Sequence, residues 1–326
     1  MSAARLVVGS RGSALALVQA EWVAARLRES HPALEVTIAT IATTGDRILD
    51  VPLAKIGDKG LFTKELETAL LDGRVDLAVH SAKDLPTALP AGCAVGAFTR
   101  REDARDVFVA AGDERRPAGP ASLPAGARVG SSSLRRRAQL LALRPDLRLI
   151  DLRGNVETRL GKLADEGLDG TVLAAAGLSR LGRGGLAAFA FDYEEMLPAV
   201  GQGALAVETR AGDERVAALV ARLNDRPTAL AVRAERALLG ALEGGCQIPI
   251  GAYAELRREA RDGREARDGA ALLLLRAFVG SLDGAVTVRD VMTAPADEPE
   301  ALGEELAERL RAAGADRILA ELRGAP

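Results

Sequence analysis

The stretch Arg128-Val129-Gly130-Ser131-Ser132-Ser133-Leu134-Arg135-Arg136 decides how most of this chain folds. A short apolar run leads through a turn of glycine and serine into a helical pattern, and Val8-Gly9-Ser10-Arg11-Gly12-Ser13-Ala14-Leu15 has the same order. This order places a helix N-terminus, with its free backbone N–H groups, at the carboxyl end of a strand. The repetition predicts two similar α/β domains that face each other across an anion-binding cleft. Since such turns are common in α/β proteins, two unrelated turns are the alternative.

Strand and helix patterns alternate around both turns. Strands are expected at 5–8, 36–41, 77–79, 106–110, 171–175 and 204–208, and a further strand is expected to close at 151–155. Helices are expected at 14–29, 63–71 and 156–166. Strands that alternate with helices imply mostly parallel sheets, so the fold class expected here is α/β.

A different pattern begins near Asn224. Helices are expected at 228–242 and 300–313, and strands at 250–256, 271–279 and 286–291. This order is typical of a small α+β domain. The charged tandem repeat at 258–269, in which glycine closes each copy, is interpreted as a solvated loop.

The chain has 326 residues, which is long enough for two or three domains. The segment Pro198-Ala199-Val200-Gly201-Gln202-Gly203 is typical of a hinge, and the strand after it can return to the first unit. We expect a first domain formed by 1–101 and 199–221, a second by 102–198 and a third by 222–326.

The composition, with 48% hydrophobic and 27% charged residues, is typical of a soluble globular protein. A net charge of −3 argues against nucleic-acid binding by the molecule as a whole. The sequence has neither a signal-peptide pattern nor an apolar run of about 20 residues that would span a bilayer. Two cysteines far apart do not suggest a disulfide framework. We expect a reduced, cytoplasmic protein.

Cys246 lies in Glu243-Gly244-Gly245-Cys246-Gln247-Ile248-Pro249, where two glycines and a proline disfavour a regular helix. A thiol on such a loop is suited to reacting, to binding a metal or to carrying a group. Metal is disfavoured, because the chain has only one other cysteine, Cys93, and two histidines, His31 and His80. Covalent attachment is the leading interpretation, and a loop cysteine without a function is the alternative that the local composition leaves open.

Several arginines are expected at strand ends or helix starts, where α/β domains bind ligands. They are Arg11, Arg135, Arg136, Arg153, Arg159 and Arg180. Arginine keeps its charge and binds carboxylate or phosphate through two N–H groups. The group predicts a ligand with many negative charges. A small polycarboxylate fits better than nucleic acid, since only 3% of the residues are aromatic. A two-lobed binding protein for a polyanion, without catalysis, is the alternative.

Asp84 follows Lys83 at the end of an expected strand. A carboxylate there can act as general acid or base, or can stabilise a cationic intermediate. The alternative is a capped turn in which Lys83 and Asp84 form an ion pair. A nucleophile pair of Cys246 with His80 is a further hypothesis, although the order and spacing match no cysteine-hydrolase signature. A histidine bonded to the backbone at a strand end is the simpler interpretation of His80.

Taken in order, the motifs of the chain resemble those of the porphobilinogen deaminase family, also called hydroxymethylbilane synthases. The resemblance extends from Arg5 to Tyr253 and is looser beyond. The motifs are Gly9-Ser10-Arg11-Gly12-Ser13, His80-Ser81-Ala82-Lys83-Asp84-Leu85-Pro86, Ser132-Ser133-Leu134-Arg135-Arg136, Leu152-Arg153-Gly154-Asn155-Val156, Thr158-Arg159, Ala176-Gly177-Leu178, Pro198-Ala199-Val200-Gly201-Gln202-Gly203 and Glu243-Gly244-Gly245-Cys246-Gln247.

The resemblance implies two domains similar to type II periplasmic-binding-protein lobes and a small α+β domain that carries Cys246. It implies that this cysteine holds a dipyrromethane cofactor through a thioether, as a permanent primer. Four porphobilinogen molecules would be joined to it head to tail with loss of ammonia, and water would release hydroxymethylbilane. The protein would be a monomeric transferase of tetrapyrrole biosynthesis with no metal and no nucleic-acid or membrane partner.

The resemblance also implies roles for individual residues. Asp84 would bind pyrrole N–H groups and stabilise the azafulvenium cation that loss of ammonia leaves. The residues that would bind cofactor or substrate are Arg11, Ser13, Ser81, Lys83, Ser131, Ser133, Arg135, Arg136, Arg153, Arg159, Arg180 and Gln202. Lys55, Lys59 and Phe62 would belong to a mobile loop over the site. Ser131 stands where many relatives have threonine, which keeps the hydroxyl.

Overall fold

A computed structural model describes residues 4–47, 60–112, 116–242, 248–258, 260–261, 264–265 and 271–324. Its strands are β1 (Ala4–Ser10), β2 (Leu34–Thr40), β3 (Leu77–Ser81), β4 (Cys93–Phe98), β5 (Asp106–Ala110), β6 (Arg128–Gly130), β7 (Arg148–Ile150), β8 (Gly170–Ala174), β9 (Ala187–Ala190), β10 (Leu205–Arg210), β11 (Ile250–Arg258), β12 (Ala260–Arg261), β13 (Arg264–Glu265), β14 (Ala271–Gly280) and β15 (Thr287–Pro295). Its α-helices are α1 (Ala14–Ser30), α2 (Thr44–Arg47), α3 (Lys64–Leu71), α4 (Leu134–Leu143), α5 (Val156–Asp165), α6 (Ala175–Arg180), α7 (Glu214–Val220), α8 (Arg226–Ala241), α9 (Pro299–Ala312) and α10 (Ala315–Gly324). Within these ranges no helix is both long and apolar enough to cross a bilayer.

The first sheet has the strand order β2-β1-β3-β10-β4. β1 runs parallel to β2 and β3, whereas β10 runs antiparallel to both of its neighbours. Alternate residues of β1, Leu6 and Val8, pack with Val23 and Leu27 of α1 in one buried cluster. This packing fixes α1 on the sheet, so that its N-terminus lies at the carboxyl end of β1.

The second sheet repeats this plan with the order β7-β6-β8-β5-β9. Here β6 is parallel to β7 and β8, and β5 is antiparallel to β8 and β9. The chain crosses between the sheets twice. The first connection leads into β5 of the second sheet, and the second connection leads back into β10 of the first sheet. Each of these two strands is the antiparallel one in its sheet. The two turns that predicted a pair of α/β domains therefore end the equivalent strands β1 and β6.

The third unit is a meander of β11, β14 and β15 in which neighbouring strands are antiparallel. α8 and α9 pack on it, and Leu238, Leu275 and Leu306 share its buried core. The helices approach closely at Gly303, where a Cβ atom would lie 2.3 Å from the carbonyl oxygen of Ala234. The fold class expected from the sequence, two α/β units and a small α+β unit, is confirmed.

Some elements differ from the sequence-based expectation. The repeat expected as a solvated loop contains the two-stranded ribbon of β12 and β13. The strand expected to close at 151–155 is β7, which ends at Ile150. The strands β4 and β9 were not expected, and both lie at sheet edges. Because an edge strand is covered less completely, its apolar pattern is weaker. The helix α10 was also not expected. The exact boundaries of the three domains stay a prediction.

Candidate active site

The carboxyl ends of the parallel neighbours β1 and β3 lie at the same edge of the first sheet. The Oγ of Ser13 accepts a hydrogen bond from the N–H of Ala16 and caps α1. Asp84 ends a short 3-10 turn directly after β3. A cavity of about 50 Å³ is lined by Arg11, Ser13, Phe62, Ser81 and Asp84, among others. The structure therefore brings these five predicted site residues together.

Two contacts order the wall of this cavity. The guanidinium carbon of Arg11 lies 4.3 Å from the centre of the Phe62 ring, in cation–π geometry. The Nε2 of Gln19 donates to the Oγ of Ser81 over 2.9 Å. The sequence does not reveal the role of the buried Gln19, because one polar residue within a helix forms no recognisable pattern.

The equivalent edge of the second sheet carries two of the predicted serines and two of the predicted arginines. The Oγ of Ser133 accepts from the N–H of Arg136 and caps α4, and the Oγ of Ser131 accepts from the N–H of Ser133. Arg135 and Arg136 follow in the first turn of the helix. Helical side chains point back toward the N-terminus, so both guanidinium groups return to the strand ends.

Both arginines bind one buried carboxylate, Asp106, at the start of β5. The Nη1 of Arg135 and the Nη2 of Arg136 each lie 2.7 Å from an Asp106 oxygen. Burial favours the neutral carboxyl, but the charges of Arg135 and Arg136 outweigh it and hold the pKa of Asp106 well below its ordinary value. Sequence reasoning missed Asp106, because one acidic residue beside a basic residue gives no recognisable pattern.

Lys83 connects the two edges. Its Nζ donates to the Oε1 of Gln202 over 3.2 Å, and the Nε2 of Gln202 donates to an Asp106 oxygen over 3.0 Å. Burial and the charges of Arg136 and Arg135 lower the pKa of Lys83 to about 8, although Asp84 and Asp106 oppose the shift. The Lys83 ammonium, which follows a strand of the first sheet, therefore interacts electrostatically with Arg135, Arg136 and Asp106 at the edge of the second sheet.

Arg153 and Arg159 complete this group of cations. The Nε of Arg159 donates to the carbonyl oxygen of Gly154 over 2.9 Å. Burial lowers the pKa of Arg159 to about 10, Arg136 and Arg153 add to the shift, and Asp84 opposes it. In the part of the chain that the structure describes, the Nη1 of Arg153 is buried without a hydrogen-bond partner. Lys83, Arg135, Arg136, Arg153 and Arg159 are named the cation cluster below.

Arg180 lies at the connections between the sheets. Its Nη2 donates to the carbonyl oxygen of Gly203 over 2.6 Å. Burial lowers the pKa of Arg180, and the nearby Glu102 opposes this. The arginine thus contacts the segment that resembled a hinge in the sequence.

His80 does not bind the backbone as the simplest interpretation held. Its Nε2 lies 3.0 Å from the Oε2 of Glu208, and both side chains are buried. That interpretation is wrong because β3 and β10 are neighbours, which places the two side chains on one face of the sheet. Three other predicted residues, Cys246, Lys55 and Lys59, lie outside the described residues, and their placement stays a prediction.

Comparison with known proteins agrees with the geometry. Residues 6–218 match the family model "Porphobilinogen deaminase, dipyromethane cofactor binding domain", and residues 229–312 match "Porphobilinogen deaminase, C-terminal domain". A porphobilinogen deaminase of Moorella thermoacetica is 55% identical over 97% of this chain and 96% of its own length. Its namesake in Syntrophotalea carbinolica is 50% identical over 99% and 97%.

Solved structures add only a low similarity. The periplasmic VFT2 domain of Bordetella pertussis BvgS is 17% identical, covering 68% of this chain and 86% of that domain, with a TM-score of 0.39. A likeness this low carries no argument, and the fold class follows from the strand order itself. The two family models and the relatives span nearly the whole sequence, and by them the chain belongs to the porphobilinogen deaminase family.

Proposed function

We propose that the protein deaminates porphobilinogen and joins four molecules head to tail on a covalent dipyrromethane primer, releasing hydroxymethylbilane and ammonia for tetrapyrrole biosynthesis. Membership of the family over nearly the whole chain supports this activity. One observation supports the roles of the residues: the charge of Asp84 acts on both Lys83 and Arg159, which come from different sheets. One carboxylate thus faces a cluster of cations.

The residues fit a cofactor that carries carboxylates. Porphobilinogen has an acetate and a propionate side chain, so a primer of two units bears two of each. The cation cluster outnumbers the carboxylates Asp84 and Asp106, which leaves positive charge for a ligand. Within the described ranges, the Nη1 of Arg153 and the Oγ of Ser132 are buried donors without a partner. Such donors favour a ligand with acceptor oxygens.

We assign the binding of carboxylates to the cation cluster. Arginine binds a carboxylate through two N–H groups, and Lys83 contributes a compact charge. Further donors are assigned to Arg11, Ser13, Ser81, Ser131 and Ser133. Arg180 and Gln202 contact the connections between the sheets, from which they support the same surface.

Asp84 is assigned the chemistry. When bound, the dipyrromethane supplies the pyrrole carbon to which each new unit is joined. Asp84 accepts hydrogen bonds from pyrrole N–H groups and stabilises the cation that remains when porphobilinogen loses ammonia. An ion pair at about 4 Å and an effective dielectric near 20 is worth roughly 4 kcal/mol. If it is realised only in the transition state, this amounts to about three powers of ten in rate.

Cys246 is assigned the thioether to the primer, and Lys55, Lys59 and Phe62 are assigned to a loop that covers the site. The contact of Phe62 with Arg11 at the cavity supports the second assignment. A cover of this kind excludes water until the chain is complete. We further propose that the protein acts as a monomer in the cytoplasm. Its two cysteines, far apart in the sequence, support a reducing compartment.

The intact mass of the purified protein tests the central assignment. We expect it to exceed the sequence mass by the two-ring primer. Cys246→Ser should lose this extra mass together with ammonia release from porphobilinogen, whereas Cys93→Ser should keep both. A wild-type protein that is fully active at its unmodified sequence mass would contradict the proposal.

A further inference from the structure

Asp106 is fully buried at the first position of β5, where it accepts hydrogen bonds from three side chains. Its Oδ2 accepts from Arg135, and its Oδ1 accepts from Arg136 and Gln202. These donors come from the start of α4 and from the turn before β10. All three were predicted as binding residues, so one unpredicted carboxylate holds a large part of the predicted site.

The guanidinium groups are held on a second side as well. The Nη1 of Arg135 donates to the carbonyl oxygen of Leu197 over 2.7 Å, and the Nη1 of Arg136 donates to that of Val172 over 2.9 Å. Each guanidinium plane is therefore fixed by the carboxylate and by the backbone. A free arginine side chain loses rotamer entropy when it binds a ligand, and a side chain that is already fixed loses less.

The same carboxylate reaches the other sheet through Gln202, whose Oε1 accepts from Lys83. The backbone supports this link, because Gly201 has a φ of +73° and a Cβ atom there would lie 3.0 Å from the Cβ of Ala82. The turn that carries Gln202 thus packs directly against the residues before Asp84. A side chain at position 201 would strain the backbone and crowd Ala82.

We propose that Asp106 is a positioning residue of the reaction. It orients the guanidinium groups of Arg135 and Arg136 and, through Gln202, the ammonium of Lys83, so that carboxylates bound at the second sheet are presented to Asp84 on the first. Asp106 acts through these residues and does not touch the substrate. The inference rests on the proposed function of the cation cluster.

The charge of Asp106 has a second consequence. Four charged groups act on Lys83: Asp106 and Asp84 raise its pKa, and Arg136 and Arg135 lower it. Removal of the Asp106 charge therefore lowers the pKa of Lys83 further. Since a neutral Lys83 no longer attracts a carboxylate, activity in such a variant should decline at a lower pH than in the wild type.

Asp106→Asn, made in the primer-loaded enzyme, tests the inference. We expect KM for porphobilinogen to rise about tenfold or more, kcat to change less, and the alkaline limb of the pH profile to move to lower pH. Asp103→Asn is the matched control, because it breaks an exposed ion pair with Arg105 of the same 2.7 Å length. The control should keep wild-type kinetics within about twofold. A folded, primer-loaded Asp106→Asn enzyme with wild-type KM and alkaline limb would overturn the inference.

Gln202→Leu tests the positioning role of Asp106 if Asp106→Asn does not fold or lacks the primer. In this variant both arginines still neutralise Asp106, so no unpaired charge is buried. We expect it to fold, to raise KM and to shift the alkaline limb, because the hydrogen bond from Lys83 to the Gln202 side chain is lost. If a folded Gln202→Leu enzyme kept the wild-type KM and the wild-type alkaline limb, the link through Gln202 would be excluded and the inference overturned. Failure of the proposed function is distinguishable, since the wild type itself would then release no ammonia from porphobilinogen.

Discussion

The Nζ of Lys83 lies 3.2 Å from the Oε1 of Gln202, and this contact joins the loop that carries Asp84 to the second connection between the sheets. Burial and the charges of Arg136 and Arg135 lower the pKa of this lysine, and Asp84 and Asp106 offset the shift only in part. Such an arrangement stabilises a bound anion, but it destabilises the folded protein when no anion is bound. This loss of stability is measurable in protein that lacks the primer.

Lys83→Met should stabilise primer-free protein, which the Cys246→Ala background provides. The fall of the Lys83 pKa to about 8 corresponds to at most about 3 kcal/mol, and partial contact with solvent reduces this to about 2. Because the folded pKa lies below the unfolded value near 10.4, the penalty is complete below about pH 8 and disappears as the pH rises toward 10. Thermal midpoints of both proteins between pH 6 and 10 measure the difference.

Lys64→Met is the control for this measurement, because Lys64 is exposed at the start of α3. It should change the thermal midpoint little at any pH. An equal midpoint for Lys83→Met and its parent at pH 7 would show that Lys83 is not destabilised by its surroundings.

Asp84→Asn should reduce kcat about a thousandfold while the folded protein and its primer persist. The amide keeps the shape of the side chain but not the charge that stabilises the cation. Asp72→Asn, which removes an exposed carboxylate at the end of α3, should behave as wild type. The rate of hydroxymethylbilane formation measures kcat, and the intact mass shows whether the primer is present. Wild-type turnover in Asp84→Asn would remove Asp84 from the mechanism.

Most of the fold could be predicted from local patterns. The repeated turns at Ser13 and Ser133 each carry a capping serine, and both caps are present in the structure. Buried central strands have a clearer pattern, as in β3, which begins with the apolar residues Leu77, Ala78 and Val79. The edge strand β9 has only four residues, all partly buried, and its pattern is too short to recognise.

The site could be predicted only in part. Arginines beside glycine and serine turns can be found by position, and the structure brings Arg135, Arg136 and Arg159 close together. The buried acids Asp106 and Glu208 could not be found in this way. Their partners are distant in sequence, 30 residues for Arg136 and Asp106, and 128 for His80 and Glu208. Only the strand order brings such pairs together.

Cys93 should react slowly with iodoacetamide at pH 8. Burial raises the pKa of its thiol to about 12, and the charges of Glu208 and Glu67 add to this effect. The thiolate is the reactive form, so Cys93 holds about a thousandfold less of it than an ordinary thiol of pKa about 8.5. In primer-free protein the label should therefore appear on the peptide that contains Cys246. Equal labelling of both cysteines would contradict the environment of Cys93.

His80→Ala should destabilise the protein by about 3 kcal/mol, because it leaves the buried carboxylate of Glu208 without its imidazole partner. The double variant His80→Leu with Glu208→Leu should lose less, since it removes both buried polar groups of the pair. Denaturant unfolding compares the two. Activity retained by folded His80→Ala would also exclude a nucleophile pair of Cys246 with His80. A double variant less stable than His80→Ala would contradict the account of the pair.

Glu235→Ala should destabilise the protein by about 3 kcal/mol or more. The fully buried carboxylate of Glu235 on α8 binds Arg101 over 2.6 Å and accepts from the N–H groups of Gly201 and Ala254. It therefore joins both connections between the sheets to the third unit, and its loss leaves the Arg101 charge unpaired in a buried position. Glu300→Ala is the control: its ion pair with Arg233 is also 2.6 Å long, but both side chains are 48% exposed, and exposed pairs contribute about 0–1 kcal/mol. Unfolding in urea measures both losses, and similar values for the two variants would show that burial does not decide the strength of this junction.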